Sequence, residues 1–127
     1  MVTDPISDFL VRLHNASMVG KESVSVPSSK MTRSLTDLLA REGYIAEADK
    51  QGKNVIDVKL AYKNGHPAIS GVKRISKLSR RIYMGVADLK PVKRGHGLLV
   101  LSTPAGVVTG KEARLKRVGG EALFEIW

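Results

Sequence analysis

The sequence predicts an α+β protein made of two small lobes, and three observations lead to this prediction. Apolar residues near the N-terminus recur at helical spacing, whereas the second half mostly alternates between apolar and polar side chains, as strands do. A segment rich in turn formers separates these two patterns. The net charge of +9 belongs entirely to the second half, because residues 1–60 hold eight basic and eight acidic side chains. We therefore place an N-terminal α/β lobe at residues 1–62, a linker at 63–67 and a β-rich lobe at 68–127.

The N-terminal lobe is predicted to have the order helix, strand, helix, strand, strand. Pro5 suits the start of the first helix, because the N–H that proline lacks would be unsatisfied there anyway, and the helix is expected to reach Ser17. Residues 23–27 alternate like a short strand, and Ser28 or Ser29 then caps the second helix. The segments YIAEA and VIDVKLAY follow as two strands joined by the turn-forming DKQGKN. This order indicates a small sheet with helices packed against it.

Four strands and one short helix are predicted in the C-terminal lobe. The helix begins at a capping box formed by Thr109 and Glu112, and the pair Gly119-Gly120 is expected to end it after Val118. The strands are expected at residues 69–76, 81–86, 97–103 and 121–127.

Motifs for nucleotide binding, metal binding and catalysis are absent or incomplete. The segment AGVVTGKE resembles a phosphate-binding loop, but Ala105 stands where the first glycine is required and Glu112 replaces the hydroxyl that binds Mg²⁺. The chain has no cysteine, its three histidines are far apart, and no nucleophile-elbow sequence surrounds Ser102. We therefore expect no catalytic residue, no metal and no cofactor. A small enzyme on a basic scaffold is the alternative that these observations disfavour.

The sequence favours a cytoplasmic protein without a membrane partner. The segment MVTDPISDFL carries two acids early and lacks a continuous apolar stretch, so it does not have the pattern of a secretory signal. No window approaches the roughly 20 apolar residues of a membrane-spanning helix. The lack of cysteine fits a reducing compartment.

The basic residues of the second half point to a polyanionic partner, with a solvated basic face as the alternative interpretation. Residues 63–94 hold nine basic side chains and one acid. In VKRISKLSRRIYMG, basic side chains can reach phosphates while apolar ones pack, and Tyr83 offers a ring for stacking, although a half-buried strand tyrosine fits the sequence equally well. The chain has no helix-turn-helix, zinc-finger or basic-zipper pattern, which favours a shaped RNA over a DNA major groove. The basic residues expected to bind RNA are Lys73, Arg74, Lys77, Arg80, Arg81 and Arg94.

The stretch LSTPAG is expected to form a tight turn after the buried strand LLVL. Pro104 and Gly106 end that strand with little side-chain bulk, and Ser102 and Thr103 present hydroxyls beside the turn. Small polar groups on a rigid turn can enter an RNA minor groove and meet 2′-hydroxyls and base edges. Turn formation alone is the alternative explanation of these residues.

Several ordered segments are together typical of one protein family. DPISDFLVRLHNA matches its opening helix, VPSSKM and LAREGYI match its second helix and exit, and GVKRISKLSRRIY matches its central basic strand. RGHGLLVLSTPAGVVTGKEARLKRVGGEALFEIW matches its C-terminal signature. On these segments, which cover essentially the whole length, the chain resembles the bacterial-type ribosomal protein of the small subunit that is numbered eight.

This resemblance implies a structural constituent of the small ribosomal subunit that binds the central domain of small-subunit ribosomal RNA early in assembly. At the matching positions, Ser102, Thr103 and Gly106 would lie in the RNA minor groove, with Tyr83 and Glu121 around the same surface. Neighbouring small-subunit ribosomal proteins would be the other partners, and the protein would be a monomer outside the ribosome. Some bacterial members also bind their own messenger RNA, so a translational repressor is the alternative function. The N-terminal residues implied to touch the RNA backbone are Arg12, Asn15 and Lys30.

The turn departs from the family pattern, which usually reads Ser-Thr-Ser-Lys-Gly. Here Pro104 lacks a hydroxyl and an N–H, and Ala105 lacks a positive charge. Proline stiffens the turn, which offsets part of this loss because less conformational entropy is removed on binding. We therefore keep Pro104 among the residues expected to bind RNA.

Overall fold

The computed structural model describes residues 4–50, 52, 54–90 and 95–127, and the contacts divide the chain into two compact units. The N-terminal unit ends at Ser70, and the C-terminal unit runs from Gly71 to Trp127. Helices and antiparallel strands occur in both units. The predicted α+β class is confirmed.

The N-terminal unit contains a three-stranded antiparallel sheet in the order β1-β3-β2. Helix α1 packs on β1 and helix α2 packs on β2, which buries Phe9, Leu13 and Leu35 completely. This is the predicted arrangement of helices against a small sheet. The elements are α1 (Pro5–Met18), β1 (Ser23–Pro27), α2 (Lys30–Arg41), β2 (Ile45–Asp49), β3 (Val55–Leu60), β4 (Tyr62–Lys63) and β5 (His66–Pro67).

Local hydrogen bonds explain where the two helices begin. The Asp4 carboxylate accepts a hydrogen bond from the Ser7 N–H at 3.2 Å and so caps α1. At the start of α2, the Ser29 hydroxyl accepts from the Thr32 N–H at 3.1 Å, while the Thr32 hydroxyl accepts from the Ser29 N–H at 2.8 Å. Of the two serines considered from the sequence, Ser29 is therefore the cap.

The segment predicted as a linker, residues 63–67, contains the turn of a small hairpin. Strands β4 and β5 pair antiparallel around Asn64 and Gly65, which have φ angles of 53° and 79°. An Asn-Gly pair with both φ angles positive is the preferred turn of a two-residue hairpin. The division of contacts between the units falls a few residues later, after Ser70.

The C-terminal unit is built around its last strand, which is the middle strand of the sheet. Strand β10 pairs with β8 along one edge, and β8 pairs in turn with β9. The other edge of β10 is shared by β7 and β6, which pair with its first and last residues respectively. The elements are β6 (Val72–Arg74), β7 (Tyr83–Met84), a 3₁₀ turn (Val86–Asp88), β8 (Leu98–Thr103), β9 (Gly106–Thr109), α3 (Gly110–Lys116) and β10 (Gly120–Ile126).

The strands predicted at 69–76 and 81–86 are shorter than expected, because both pair with the same edge of the seven-residue β10. Strand β9 was not predicted. It forms because the turn at Pro104 and Ala105 reverses the chain, so that β9 pairs back onto β8.

Helix α3 ends at Lys116 and not, as predicted, after Val118 at the glycine pair. The next residue, Arg117, adopts a left-handed conformation with φ 55°, and its N–H bonds back to the last turn of the helix. The capping box of Thr109 and Glu112 is present as expected. Beneath the helix lies a cluster of buried apolar side chains: Leu89, Leu99, Leu101, Val108, Ala113 and Ala122.

Candidate nucleic-acid interface

Three of the residues expected to bind RNA lie side by side across the C-terminal sheet. Glu121 on β10 pairs with Tyr83 on β7 at one side and with Ser102 on β8 at the other. Directly opposed residues of antiparallel strands project to the same face with their Cβ atoms roughly 5 Å apart. We call Tyr83, Glu121 and Ser102 the central row. Tyr83 is 71% exposed, so the alternative of a half-buried strand tyrosine is wrong.

The turn after Ser102 is held by the hydroxyl of Thr103. This hydroxyl donates to the Gly106 carbonyl at 2.8 Å and accepts from the Ala105 N–H at 3.1 Å. Gly106 has a φ of +110°, which side-chain-bearing residues rarely adopt. Since its one proton is used inside the turn, Thr103 can offer a ligand only a lone pair. Pro104, Ala105 and Gly106 are exposed and form a narrow tip at the end of the hairpin.

The carboxylate of Glu121 is held by two donors. The Ser76 hydroxyl and Arg81 Nη1 both donate to Oε2, Arg81 at 3.0 Å, and the Glu121 side chain is 16% exposed. Partial burial raises the pKa of Glu121, but the hydrogen bonds from Ser76 and Arg81, with the charges of Arg81 and Arg74, lower it by more. The pKa of Glu121 therefore lies below its ordinary value, and its side chain is an anion that only accepts hydrogen bonds at neutral pH.

We expect protonation of the Glu121 carboxylate to destabilise the C-terminal unit in acid. Because the pKa of Glu121 is lower in the folded protein than its ordinary value of 4.5, the stabilisation is fully present above pH 4.5 and is lost as the pH falls through the folded pKa. Urea denaturation measures the free energy of unfolding at neutral pH and in steps below pH 4.5. This free energy should fall less in acid for Glu121→Gln than for the wild type, because glutamine cannot titrate. An equal fall in the free energy of unfolding of both proteins would show that Glu121 does not contribute to the acid sensitivity.

The expected RNA-binding cations differ in how far they are already engaged. Arg81 is paired with Glu121, and half-buried Arg74 donates to the Leu123 carbonyl. Lys77 and Arg80 are exposed, and their backbones form a small bridge in which each N–H donates to the other's carbonyl. Lys77 and Arg80 therefore carry exposed side chains on either side of this bridge.

Neighbouring basic residues on β6 do not share a face of the sheet. Arg74 pairs with Phe124 and Lys73 pairs with Glu125. Successive strand residues point to opposite faces, so Lys73 and Arg74 project to opposite sides. Lys73 thus lies opposite the acidic residue Glu125, whereas the positive charge of Arg74 helps to lower the pKa of Glu121. Arg94, also expected to bind RNA, lies outside the described residues.

The expected RNA-binding residues of the N-terminal unit are all exposed, but one of them is engaged. Arg12 Nε lies 2.9 Å from Asp8 Oδ2, and Arg12 Nη1 donates to the Ser25 carbonyl at 3.3 Å. The second of these bonds ties α1 to the edge strand β1. Lys30 begins α2 and Asn15 lies on α1, and both side chains are accessible to solvent.

Gly119 and Gly120 allow β10 to enter this site, although the sequence pattern indicates a helix end there. A Cβ on Gly120 would lie 2.3 Å from the Ser102 carbonyl oxygen, and one on Gly119 would lie 2.4 Å from the Met84 carbonyl oxygen. Both distances are far below van der Waals contact, so only glycine lets β10 pass between β7 and β8. Glycine at the start of a strand pattern is the sequence signal for such a close backbone approach.

Binding of a metal ion needs a group of ligating side chains, and a helical membrane span needs a long apolar helix. Within residues 4–50, 52, 54–90 and 95–127, no group of three histidine, cysteine, aspartate or glutamate side chains is placed to hold a metal ion. None of the helices in these ranges is long and apolar enough to cross a membrane.

Comparison with known proteins points to one family. The family model described as Ribosomal protein S8 matches residues 4–127. The chain is similar to the small ribosomal subunit protein uS8 of Oleidesulfovibrio alaskensis, with 47% identity over 127 residues that cover the whole of both chains. The protein of the same name from Lactobacillus helveticus is 46% identical over 131 residues, which cover all of this chain and 99% of that relative.

Proposed function

Because the chain belongs to the ribosomal protein S8 family, we propose that it is a structural constituent of the small ribosomal subunit in the cytoplasm and binds the central domain of ribosomal RNA directly. In this role it helps the subunit to assemble. Neighbouring small-subunit proteins are its further partners. The relatives named above are ribosomal proteins, and no enzymatic activity is proposed. Binding to its own messenger RNA and a monomeric state outside the ribosome stay predictions from the sequence.

The observation that carries this proposal is the central row beside the narrow tip of the Ser102–Gly106 turn. The row combines an exposed aromatic ring, an acceptor-only carboxylate and a hydroxyl on one face of a sheet. The minor groove of an RNA helix is wide and shallow and displays 2′-hydroxyls and base edges, which such groups can meet by hydrogen bonding. Unpaired or splayed bases could stack on Tyr83.

Exposed cations close to the row in sequence supply the affinity. Lys77 and Arg80 stand only a few residues before Tyr83, and both are exposed. Each phosphate that such a side chain neutralises releases condensed counterions, which strengthens binding at low salt without reading sequence. The proposed division of roles is that the row and turn select the RNA, whereas these cations hold its backbone. On the N-terminal unit, Lys30 and Asn15 are proposed to make further backbone contacts.

We expect Arg80→Ala to weaken binding to every RNA and to flatten the salt dependence. Loss of one phosphate contact lowers the slope of log affinity against log salt by roughly 0.7–0.9. The measurement is a salt titration of binding to a central-domain transcript and to a duplex of scrambled sequence. Lys21→Ala is the matched control, because Lys21 is an exposed cation outside the expected site. An unchanged slope in Arg80→Ala, or an equal change in the control, would remove Arg80 from the phosphate contacts.

A further inference from the structure

Ser76 joins two segments of the C-terminal sheet at a buried position. Its hydroxyl donates to Glu121 Oε2 and accepts a hydrogen bond from the Ile82 N–H at 3.1 Å, and the residue is fully buried. Its backbone N–H donates to the Ala122 carbonyl at 3.0 Å, and the Ala122 N–H donates to the Ile82 carbonyl at 2.9 Å. Ser76 therefore lies where the edge of β10 passes from β6 to β7, beside the central row.

One hydroxyl thus sets the position of two members of the row. A serine hydroxyl has a single proton, and that of Ser76 is committed to the Glu121 carboxylate. The bond that it accepts from Ile82 restrains the backbone immediately before Tyr83. Since Ser76 is buried, water is not available to replace either bond if the hydroxyl is removed.

A carboxylate held in this way distinguishes between the chemical groups of an RNA. Ser76 and Arg81 both bond to Oε2, so Oε1 of Glu121 can accept a further hydrogen bond. Ribose 2′-hydroxyls and base amino groups can donate that bond, whereas a phosphate oxygen is an acceptor that carries the same charge. The middle of the row therefore attracts neutral hydrogen-bond donors of the RNA and repels its phosphate groups.

We propose that Ser76 is a positioning residue for the RNA site. By holding Glu121 beside Tyr83, Ser76 makes the middle of the row specific for a neutral hydrogen-bond donor of the RNA and not for phosphate. This inference rests on the proposed function. It assigns no contact with RNA to Ser76 itself. Selection between RNAs then depends on the buried side chain of Ser76 as well as on the exposed basic residues.

The test compares Ser76→Ala with the control Ser79→Ala, whose serine is exposed in the neighbouring turn. Two quantities are measured on the full chain: the ratio of affinities for the central-domain transcript and the scrambled duplex, and the pKa of Glu121 from the NMR shift of its carboxyl carbon. We expect Ser76→Ala to lower the affinity ratio about tenfold, the size of effect that loss of a hydrogen bond to a charged group gives. The same variant should raise the pKa of Glu121, because a bond that favours the anion is gone. Ser79→Ala should change neither quantity.

A raised pKa of Glu121 together with an unchanged affinity ratio would overturn the proposal, since the carboxylate would then be released without any effect on selection. If Ser76→Ala does not fold, Glu121→Gln decides. That variant keeps the shape of the side chain but is neutral, so it should also lower the ratio about tenfold, mainly by tighter binding to the scrambled duplex. An unchanged ratio in Glu121→Gln would overturn the proposal as well. A wild-type protein that does not prefer the central-domain transcript would instead overturn the proposed function.

Discussion

Gly120→Ala is expected to destabilise the C-terminal unit by about 3 kcal/mol and to abolish selective RNA binding. The added Cβ would lie 2.3 Å from the Ser102 carbonyl oxygen and 2.9 Å from Thr103 Cγ2, where no side-chain rotation can relieve the overlap with the backbone. Strand β10 and the end of β8 must therefore move apart, which separates Glu121 from Ser102. Urea denaturation measures the change in the free energy of unfolding, and the affinity ratio for the two RNAs measures the change in selection.

Gly85→Ala is the control for this substitution. Gly85 has a φ of −85°, which alanine adopts without strain, and its added Cβ would have the Asp88 carboxylate at 3.7 Å as its nearest neighbour. We expect this variant to unfold at the same urea concentration as the wild type, within about 0.5 kcal/mol. If Gly120→Ala were as stable as Gly85→Ala, the close approach of β10 to β8 would not exist in the protein in solution.

Thr103→Val is expected to lower the affinity for the central-domain transcript by roughly 1–3 kcal/mol while leaving the scrambled duplex unaffected. Valine keeps the shape of threonine but removes the hydroxyl that donates to the Gly106 carbonyl and accepts from the Ala105 N–H. The turn then loses the bonds that hold its tip in one conformation, and the remaining lone pair is no longer available to the RNA. Equilibrium binding at fixed salt measures this effect.

Thr103→Ser provides the rescue for that substitution, because serine restores the hydroxyl without the methyl group. Its affinity should lie close to that of the wild type. If Thr103→Val bound the transcript as tightly as the wild type does, Thr103 would contribute only to the turn, and the alternative explanation offered by the sequence would be sufficient.

The elements that depend on local signals were predictable from the sequence. Helix α1 follows from the helical recurrence of apolar residues after Pro5, and α2 follows from the Ser29 cap. Strand β9 was missed because its pairing depends on the turn at Pro104, which reverses the chain onto β8, and not on a strong alternating pattern. The end of α3 was placed too late, because Gly119 and Gly120 are required by packing between strands and not by the helix.

The site was predictable in composition but not in arrangement. The basic segment and the polar turn were evident, yet the pairing of Tyr83 with Glu121 and Ser102 depends on a register between strands that are distant in the chain. Composition also does not reveal which cations are already engaged. Arg81 is paired with Glu121, and only the folded structure shows this. Ser76 carried no signal at all, because its part follows from where it lies beside β10.

Selective binding of ribosomal RNA by the central row is tested most directly by one salt titration. The full chain is titrated against a central-domain transcript of small-subunit ribosomal RNA and against a duplex of scrambled sequence. We expect the transcript to bind tighter by ~10³ or more, with a slope that corresponds to several phosphate contacts. Equal, weak and strongly salt-dependent binding to both RNAs would contradict the proposed function, since the basic residues would then attract any polyanion and the central row would select nothing.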